Sequence, residues 1–335
     1  MNHSNISVFI PHMGCPNTCS FCNQRTISQT SAAPTPEQVG ELLKTACDGL
    51  PAGDAEIAFF GGSFTAIDRD YMTGLLEAAS PFVKDGRVRG IRISTRPDCI
   101  DEQVLDVLKK YGVTSIELGA QSMDDTVLEA NERGHTAEDV RMASRLIREQ
   151  GFELGLQMMT GLYMSTPEKD VFTAREIISL RPDTVRVYPV VILKGTKLGE
   201  LFENGEYKPY PFETMTEICA DMLEMFEQEG IRVIKLGLHA SETVETDMLG
   251  GYYHPAFREI CEGLLFRREI EKKITDGRSL TDVKRFTIYT APDAVSRATG
   301  HKKSNKEYFR SKGIEIKIKP DKKISGRSII AIKDE

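Results

Sequence analysis

Three cysteine side chains lie within eight residues near the start of the chain. Cys15, Cys19 and Cys22 are separated by three and then by two residues, directly after the apolar run Val8-Phe9-Ile10. Thiolates on so short a segment can converge on one metal centre, and they favour zinc, copper(I) or the iron of iron–sulfur clusters. The spacing therefore predicts a metal site immediately after a β-strand.

The number of protein ligands distinguishes two forms of such a site. A closed structural site normally takes four, whereas a catalytic site keeps one position open. The other cysteines, Cys47, Cys99, Cys219 and Cys261, are scattered singly, so an iron–sulfur cluster with one open iron is the first interpretation. The alternative is a structural zinc ion with His12 as its fourth ligand, and the cysteine pattern alone leaves both possibilities open.

Length and composition restrict the class of protein. The chain has 335 residues, of which 40% are apolar and 28% are charged, which predicts one large ordered domain and a small one. No apolar run reaches the ~18–20 residues that a membrane-spanning helix needs, and the start lacks the apolar segment of a signal peptide. An odd number of cysteines, seven in all, argues against a secreted disulfide framework. A cytoplasmic protein without a membrane partner is expected.

The net charge of −7 is distributed unevenly along the chain. Residues 281–335 carry 14 Lys and Arg against 7 Asp and Glu, whereas residues 1–280 have a net charge of −14. Such asymmetry indicates a basic C-terminal segment with an anionic partner. A merely solubilising face is the alternative.

The elements that must position the cysteines alternate between strands and helices from about residue 6 to residue 238. The predicted strands are Ser7–Ile10, Glu56–Phe60, Ile91–Thr95, Ser115–Leu118, Glu153–Met159 and Thr184–Val191. Their apolar character is typical of parallel strands buried on both faces. Six β/α units predict an α/β fold, either an incomplete (βα)6 TIM-like barrel or a doubly wound sheet. The cysteine segment follows the first strand, which favours the barrel, where chemistry gathers at the strand ends.

Polar and glycine residues recur at the other predicted strand ends. Gly61 and Gly62 close the second strand, and paired glycines let a backbone approach a ligand closely. Glu117, Gln121 and Gln157 interrupt otherwise apolar strands, and each must find a hydrogen-bond partner if buried. Several such side chains near one end of a barrel indicate a polar ligand.

These motifs together resemble the radical S-adenosylmethionine (SAM) superfamily over roughly residues 6–275. The sequence is most similar to the radical-SAM part of the Elongator catalytic subunit and its short bacterial relatives, without the acetyltransferase domain of that subunit. Oxygen-independent coproporphyrinogen oxidases are more distant relatives. The supporting motifs are the three cysteines with Phe21 before the last, Phe59-Phe60-Gly61-Gly62-Ser63-Phe64-Thr65, Ser94-Thr95-Arg96-Pro97-Asp98, Leu118-Gly119-Ala120-Gln121-Ser122, Arg133-Gly134-His135 and Val187-Tyr188-Pro189.

The resemblance implies two cofactors and the residues that hold them. Cys15, Cys19 and Cys22 would bind a 4Fe-4S cluster whose open iron chelates the amine and carboxylate of SAM. The methionine amine would lie against Gly61, Gly62 and Ser63. The positions that match SAM contacts in the porphyrinogen oxidases are Ser94, Gln121, Arg133 and Gln157, of which Ser94 and Gln157 replace acidic residues.

The resemblance also implies a function. Such an enzyme cleaves SAM to a 5′-deoxyadenosyl radical, with electrons from an external donor of the flavodoxin or ferredoxin class, and RNA, above all tRNA, is the expected substrate. Tyr188 and His254 match family elements that would line the substrate cavity, and a structural turn is the alternative for His254. The alternatives are a radical SAM enzyme acting on a small molecule or porphyrin, and a non-catalytic iron–sulfur protein that binds RNA or senses redox state.

The C-terminal segment predicts a small α+β domain. Its pattern of strand, helix, Gly300-His301-Lys302-Lys303, helix and strand resembles a KH domain, whose Gly-x-x-Gly loop clamps a nucleic-acid backbone. Lys303 stands where the second glycine belongs. The sequence thus predicts a radical SAM domain at 1–275 and a KH-like RNA-binding domain at 281–335, with RNA contacts from Gly300, Lys302 and Lys303.

Overall fold

The computed structural model describes residues 4–10, 13–15, 19–23, 32–238, 241–275 and 285–334. The strands of the main sheet are β1 (Ser4–Ile10), β2 (Ala55–Gly61), β3 (Ile91–Thr95), β4 (Val113–Gln121), β5 (Glu153–Thr160), β6 (Thr184–Pro189) and β8 (Arg232–Leu236). Two short strands, β7 (Val191–Leu193) and β9 (Met248–Gly251), pair with each other.

Ten helices of the described residues surround or follow this sheet. They are α1 (Pro36–Asp48), α2 (Arg69–Lys84), α3 (Glu102–Lys110), α4 (Asp125–Ala130), α5 (Ala137–Glu149), α6 (Pro167–Ser179), α7 (Lys197–Glu203), α8 (Phe212–Gln228), α9 (Glu242–Asp247) and α10 (Phe257–Thr275). None of the helices in the described ranges has the length and apolarity needed to cross a membrane.

The main sheet is parallel and its order is β1-β2-β3-β4-β5-β6-β8. The two edge strands do not pair in the described part of the chain, yet Asn5 on β1 and Lys235 on β8 line the same cavity. The sheet is therefore curled into an open barrel. The predicted incomplete barrel is confirmed, with β8 as a seventh strand that the six-unit prediction lacked.

The predicted sixth strand was wrong at its end. Instead of running to Val191, it stops at Pro189, whose ring nitrogen has no N–H with which to continue the ladder. Val191–Leu193 then forms β7 and pairs antiparallel with β9. The chain thereby leaves the barrel sheet at the C-terminal end of β6.

Two helices of the barrel begin at residues typical of helix starts. Thr35 caps α1 in a reciprocal capping box with Gln38, and Thr166 caps α6 by accepting a hydrogen bond from the backbone N–H of Lys169. Both helices begin with a proline, which has no N–H to leave unsatisfied at that position. Cys47 of α1 packs into the core.

The C-terminal unit contains β10 (Arg285–Thr290), α11 (Val295–Thr299), α12 (Ser304–Ser311), β11 (Glu315–Pro320) and β12 (Ile329–Lys333). Its sheet order is β11-β10-β12, with β10 parallel to β11 and antiparallel to β12. The predicted order of strand, two helices and strand is confirmed, and β12 is additional. Phe266, Ile270 and Ile274 of α10 belong to the apolar core of this unit, so α10 packs against both parts of the chain.

Candidate functional site

A cavity of about 660 Å³ lies inside the curve of the barrel. All seven strands of the main sheet contribute side chains to it, as do Cys15, Cys19 and Cys22. Of the residues predicted to bind cofactors, Gly61, Gly62, Ser94, Gln121, Arg133 and Gln157 also line this cavity. The structure thus brings together side chains that are up to 142 positions apart in the sequence.

The glycine pair at the end of β2 lets the cysteine segment cross close above it. The N–H of Gly62 donates to the carbonyl of Ile10 at 2.9 Å, and the N–H of Ser63 donates to that of Met13 at 2.9 Å. A Cβ on Gly62 would lie only 1.8 Å from the Met13 carbonyl oxygen, and one on Gly61 would lie 2.5 Å from that of Ile10. The sequence predicted that a ligand would approach these glycines closely. On the side where a Cβ atom would lie, it is instead the backbone leading to Cys15 that approaches them.

The other end of the cysteine segment is fixed by Asn131. The Ser20 hydroxyl donates to the Asn131 side-chain oxygen at 2.7 Å, and the Ser20 N–H donates to the Asn131 carbonyl at 3.2 Å. The amide nitrogen of Asn131 in turn donates to the carbonyl of Tyr163 at 2.9 Å. Asn131 is fully buried. The sequence analysis missed this residue, although its place just before Arg133-Gly134-His135 was a signal.

The donor set suits a thiolate-bound cluster. Cys15 and Cys22 are half-buried, Cys19 is buried, and all seven cysteines are free of disulfides. Burial, together with the neighbouring Cys19, raises the pKa of the Cys15 thiol, and coordination by a metal is what removes such a proton. Among the residues that the structure describes, no three Cys, His, Asp or Glu side chains are already grouped as metal ligands. His12, the zinc ligand of the alternative, lies outside the described residues.

Arg133 links the cysteine segment to β4. Its guanidinium donates to the sulfur of Cys19 at 2.9 Å and to the carbonyl of Gly119 at 2.7 Å, and it lies 5.9 Å from the centre of the Phe21 ring. Its Nε atom is buried and has no hydrogen-bond partner among the described residues. This donor is available to a ligand in the cavity.

Two further cavity side chains present unpartnered atoms. The Oε1 of Gln121 and the Oγ of Ser94 are buried and lack partners within the described ranges. Gln121 also has a left-handed backbone (φ 64°) at a register shift in β4, a conformation that costs about 1 kcal/mol or more for a residue other than glycine. Buried polar atoms are normally satisfied, so these positions fit a polar ligand such as SAM.

Ser63 lies behind the cavity wall. Its hydroxyl is 2.9 Å from that of Thr95 and accepts from the N–H of Arg96 at 3.2 Å, and the residue is fully buried. It does not line the cavity. Its side chain therefore ties the glycine turn to the end of β3.

A network of buried charges crosses the barrel beneath these residues. Arg92, with no exposed side-chain surface, pairs with Glu56 at 3.1 Å, Glu117 at 3.2 Å and Glu153 at 3.0 Å. Glu117 also accepts two bonds from Arg186, at 2.8 and 3.0 Å. The amide nitrogen of Gln157 donates to Glu117 at 3.0 Å, so the amide oxygen of Gln157 is the group left for a ligand.

His135 holds the end of β4 and is uncharged at neutral pH. Burial and the adjacent Arg133 lower its pKa to about 4. The ring Nε2 is 3.2 Å from the carbonyl of Ala120, and a neutral ring donates there in the Nε2–H tautomer. His135 does not line the cavity, so its contact positions the backbone next to Gln121.

Of the two residues expected to line a substrate cavity, only one does so in the structure. Tyr188 lines the cavity, as expected. His254 does not; its ring packs against those of His301 at 5.1 Å and Phe212 at 6.4 Å. His254 therefore lies where the barrel meets the C-terminal unit.

The loop between α11 and α12 has the conformation of a glycine-rich turn. Gly300, Lys302 and Lys303 have φ values of 80°, 50° and 66°, and a Cβ on Gly300 would lie 2.4 Å from the Ser304 hydroxyl. Lys303 thus adopts the left-handed backbone that glycine favours. Both lysines are exposed, and neither forms an ion pair with any residue that the structure describes.

An open parallel barrel with three cysteines at its mouth and unpartnered polar atoms in one cavity defines a class of metal-cluster enzyme. The profile of the radical SAM superfamily matches residues 9–176, and that of the radical SAM C-terminal domain matches residues 182–266. The chain belongs to the radical SAM superfamily. As a radical SAM enzyme it uses a 4Fe-4S cluster and SAM.

Comparisons with individual proteins agree with this assignment. The chain is 30% identical to a tRNA uridine(34) acetyltransferase of Dehalococcoides mccartyi over 65% of its length and 55% of the relative. It is 30% identical to human Elongator complex protein 3 over 53% of its length and 36% of the relative. Archaeal Elp3 of Methanocaldococcus infernus shares the fold, with a TM-score of 0.56 and 23% identity over 72% of this chain and 61% of that one. The chain thus spans about half or less of these curated relatives.

Proposed function

We propose that this radical SAM enzyme modifies tRNA. The radical chemistry in this proposal is supported by the convergence of Cys15, Cys19, Cys22 and the unpartnered atoms of Ser94, Gln121 and Arg133 on one cavity of about 660 Å³. A cavity of this size accommodates a ligand such as SAM together with part of a substrate.

The proposed cofactor contacts follow from that arrangement. Cys15, Cys19 and Cys22 hold the cluster, and Arg133, which already donates to Cys19, orients the ligand beside it. Gln121, Ser94 and Gln157 contact SAM, while Gly61 and Gly62 form the floor against which its methionine end lies. When bound, the two cofactors supply a 5′-deoxyadenosyl radical, and the protein supplies orientation and exclusion of water.

RNA as the substrate rests on two independent features. Two relatives, from Dehalococcoides mccartyi and Methanocaldococcus jannaschii, are tRNA uridine(34) acetyltransferases. The C-terminal unit adds a basic segment whose loop at Gly300, Lys302 and Lys303 exposes two cations that form no ion pair with a described residue, the arrangement expected for contact with a phosphate backbone. The acetyl-transfer activity in the names of those relatives is not part of the proposal, because the chain spans only part of their length.

The cellular setting is also proposed. A reducible cluster requires an external electron donor of the flavodoxin or ferredoxin class, and tRNA modification places the enzyme in the cytoplasm, where thiols stay reduced. The small-molecule or porphyrin substrate and the non-catalytic sensor are the competing functions.

Two measurements separate these functions. Anaerobically reconstituted protein, reduced in the presence of SAM, is expected to release 5′-deoxyadenosine; a protein that retains its cluster but neither binds nor cleaves SAM is a sensor. Mass spectrometry of tRNA nucleosides from a deletion strain is expected to show the loss of a modified nucleoside that the wild-type gene restores. An unchanged nucleoside profile would favour the small-molecule substrate.

A further inference from the structure

One cation in the cavity has no partner among the described residues. Lys235 on β8 is half-buried and lines the cavity. No hydrogen bond or ion pair joins it to any residue in the described ranges. A buried ammonium group normally has a carboxylate or another acceptor nearby, because removing a charge from water is costly.

The neighbouring carboxylates are already engaged. Glu117 accepts four hydrogen bonds, from Arg92, Arg186 and Gln157, which fills the roughly four acceptor positions of a carboxylate. The three acids of the network (Glu56, Glu117 and Glu153) are matched by the three guanidinium groups of Arg92, Arg186 and Arg232. Among the residues that the structure describes, Lys235 is therefore one positive charge in excess of this network.

The surroundings of Lys235 are otherwise cationic and apolar. Arg186 is its direct register neighbour on β6. Burial, and then the positive charges of Arg186 and Arg258, lower the pKa of Lys235. Val191, Leu193 and Leu238 line the same cavity. A cation that is desolvated in this way gains free energy when an anion joins it.

The register places Lys235 away from the cysteines. Gly119, Gln157, Arg186 and Lys235 occupy one row across β4, β5, β6 and β8, so three strand spacings, about 14 Å in total, separate the ends of the row. Arg133 binds the carbonyl of Gly119 and the sulfur of Cys19, which puts the cysteines at the opposite end. In the proposed function, the single carboxylate of SAM belongs at that end.

We propose that Lys235, with Arg186 beside it, forms an anion subsite that binds a phosphate group of the nucleotide to be modified. The inference rests on the proposed function, which supplies the nucleotide. The apolar residues around Lys235 provide a surface for a base or ribose, and the ammonium group provides the charge-assisted hydrogen bond that fixes the phosphate.

The test measures equilibrium binding of four probes to the reconstituted holoenzyme with SAM: uridine 5′-monophosphate, uridine, inorganic phosphate and succinate. The wild-type protein is expected to bind the nucleotide roughly tenfold to a hundredfold more tightly than uridine, as one hydrogen bond between charged groups allows. Lys235→Gln is expected to abolish this preference and Lys235→Arg to keep most of it. The matched control is Lys208→Gln, an exposed lysine outside the cavity, which is expected to bind like the wild type.

Other results would overturn the inference. Equal affinity of wild-type protein for uridine and its monophosphate would do so, as would a preference that survives Lys235→Gln while thermal unfolding shows a native fold. Binding of succinate in place of the nucleotide, lost in Lys235→Gln, would assign the subsite to a small organic acid. Failure of the proposed function is distinguishable, because it appears as an unchanged tRNA nucleoside profile whatever the probes show.

Discussion

The barrel and the C-terminal loop organise charge in opposite ways. In the barrel, Arg92 has no exposed side-chain surface and is surrounded by three carboxylates. In the C-terminal loop, Lys302 and Lys303 are exposed and have no ion-pair partner in the described part of the chain. The buried charges of the Arg92 network connect the strands of the barrel, whereas the exposed charges of the loop are accessible to a ligand. Substitution of Arg92 should therefore affect stability, and substitution of the two loop lysines should affect binding.

The largest effect is expected at the cluster. Cys19→Ala removes one of the three proposed cluster ligands, so iron bound after anaerobic reconstitution should fall from about four per chain to background. Cys47→Ala changes a buried cysteine on α1 that does not line the cavity; it is the control and should retain its iron. Iron and sulfide analysis with the absorbance near ~400 nm measures both. Stoichiometric zinc in anaerobically purified protein, without iron uptake, would restore the structural-zinc alternative.

The buried network should dominate stability. Arg92→Met leaves Glu56 and Glu117 buried with less compensation, and breaking a buried ion pair of this kind costs about 3–5 kcal/mol in the free energy of unfolding. The matched control is Arg87→Met, which breaks the more exposed pair with Asp48 at 2.6 Å and should cost less than about 1 kcal/mol. Urea denaturation measures both. Similar losses in the two variants would mean that burial does not set the difference between the regions.

This barrel could be predicted from the sequence because the features that indicate it are local. Apolar runs, capping residues such as Thr35 and Thr166, and the spacing of the three cysteines each report on a few neighbouring residues. The pairing of Val191–Leu193 as a separate strand and the strand β8 were missed because both depend on contacts with distant segments, whereas the strand end at Pro189 was a local signal. A run of apolar residues does not show which strand it will pair with or where that pairing ends.

The candidate site was predictable only in part, for a similar reason. The position of Gln121 at a strand end could be read from the chain, but its left-handed backbone and unpartnered oxygen could not. The packing of Ser63 away from the cavity and the attachment of Asn131 to Ser20 depend on contacts across more than 30 residues. The excess charge of Lys235 becomes visible only once every carboxylate around it has been assigned a partner.

A SAM contact should produce an intermediate effect. Gln121→Ala removes one proposed hydrogen bond in the cavity, and SAM affinity is expected to fall roughly tenfold while iron content stays unchanged. Gln103→Ala, an exposed glutamine on α3, is the control. Equilibrium binding of SAM to the reconstituted protein measures the effect. Loss of iron together with SAM affinity would instead make Gln121 a residue that supports the cluster.

The smallest change in stability, with a change in function, is expected in the C-terminal loop. Changing both Lys302 and Lys303 to Asp replaces two cations with two anions where we propose contact with a phosphate backbone. Each lost phosphate contact removes about one released counterion, so tRNA affinity should fall and depend less steeply on salt. Asp is among the residues that tolerate the left-handed backbone of these positions, so the thermal unfolding temperature should change little.

The control for charge is the double change of Lys322 and Lys323 to Asp, because both are exposed lysines of the same unit, outside the loop. It alters the net charge equally and should weaken tRNA binding less. Lys303→Gly separates the effect of the loop conformation from the effect of the side-chain charge. Glycine suits the φ of 66° at this position, so the loop should be preserved while one phosphate contact is lost. The salt dependence of tRNA binding should then lie between those of the wild type and the double variant. If both Asp pairs weaken binding equally, the attraction is a property of the whole basic unit. If neither does, the C-terminal unit has no part in RNA binding, and only the barrel cavity is left to select the substrate.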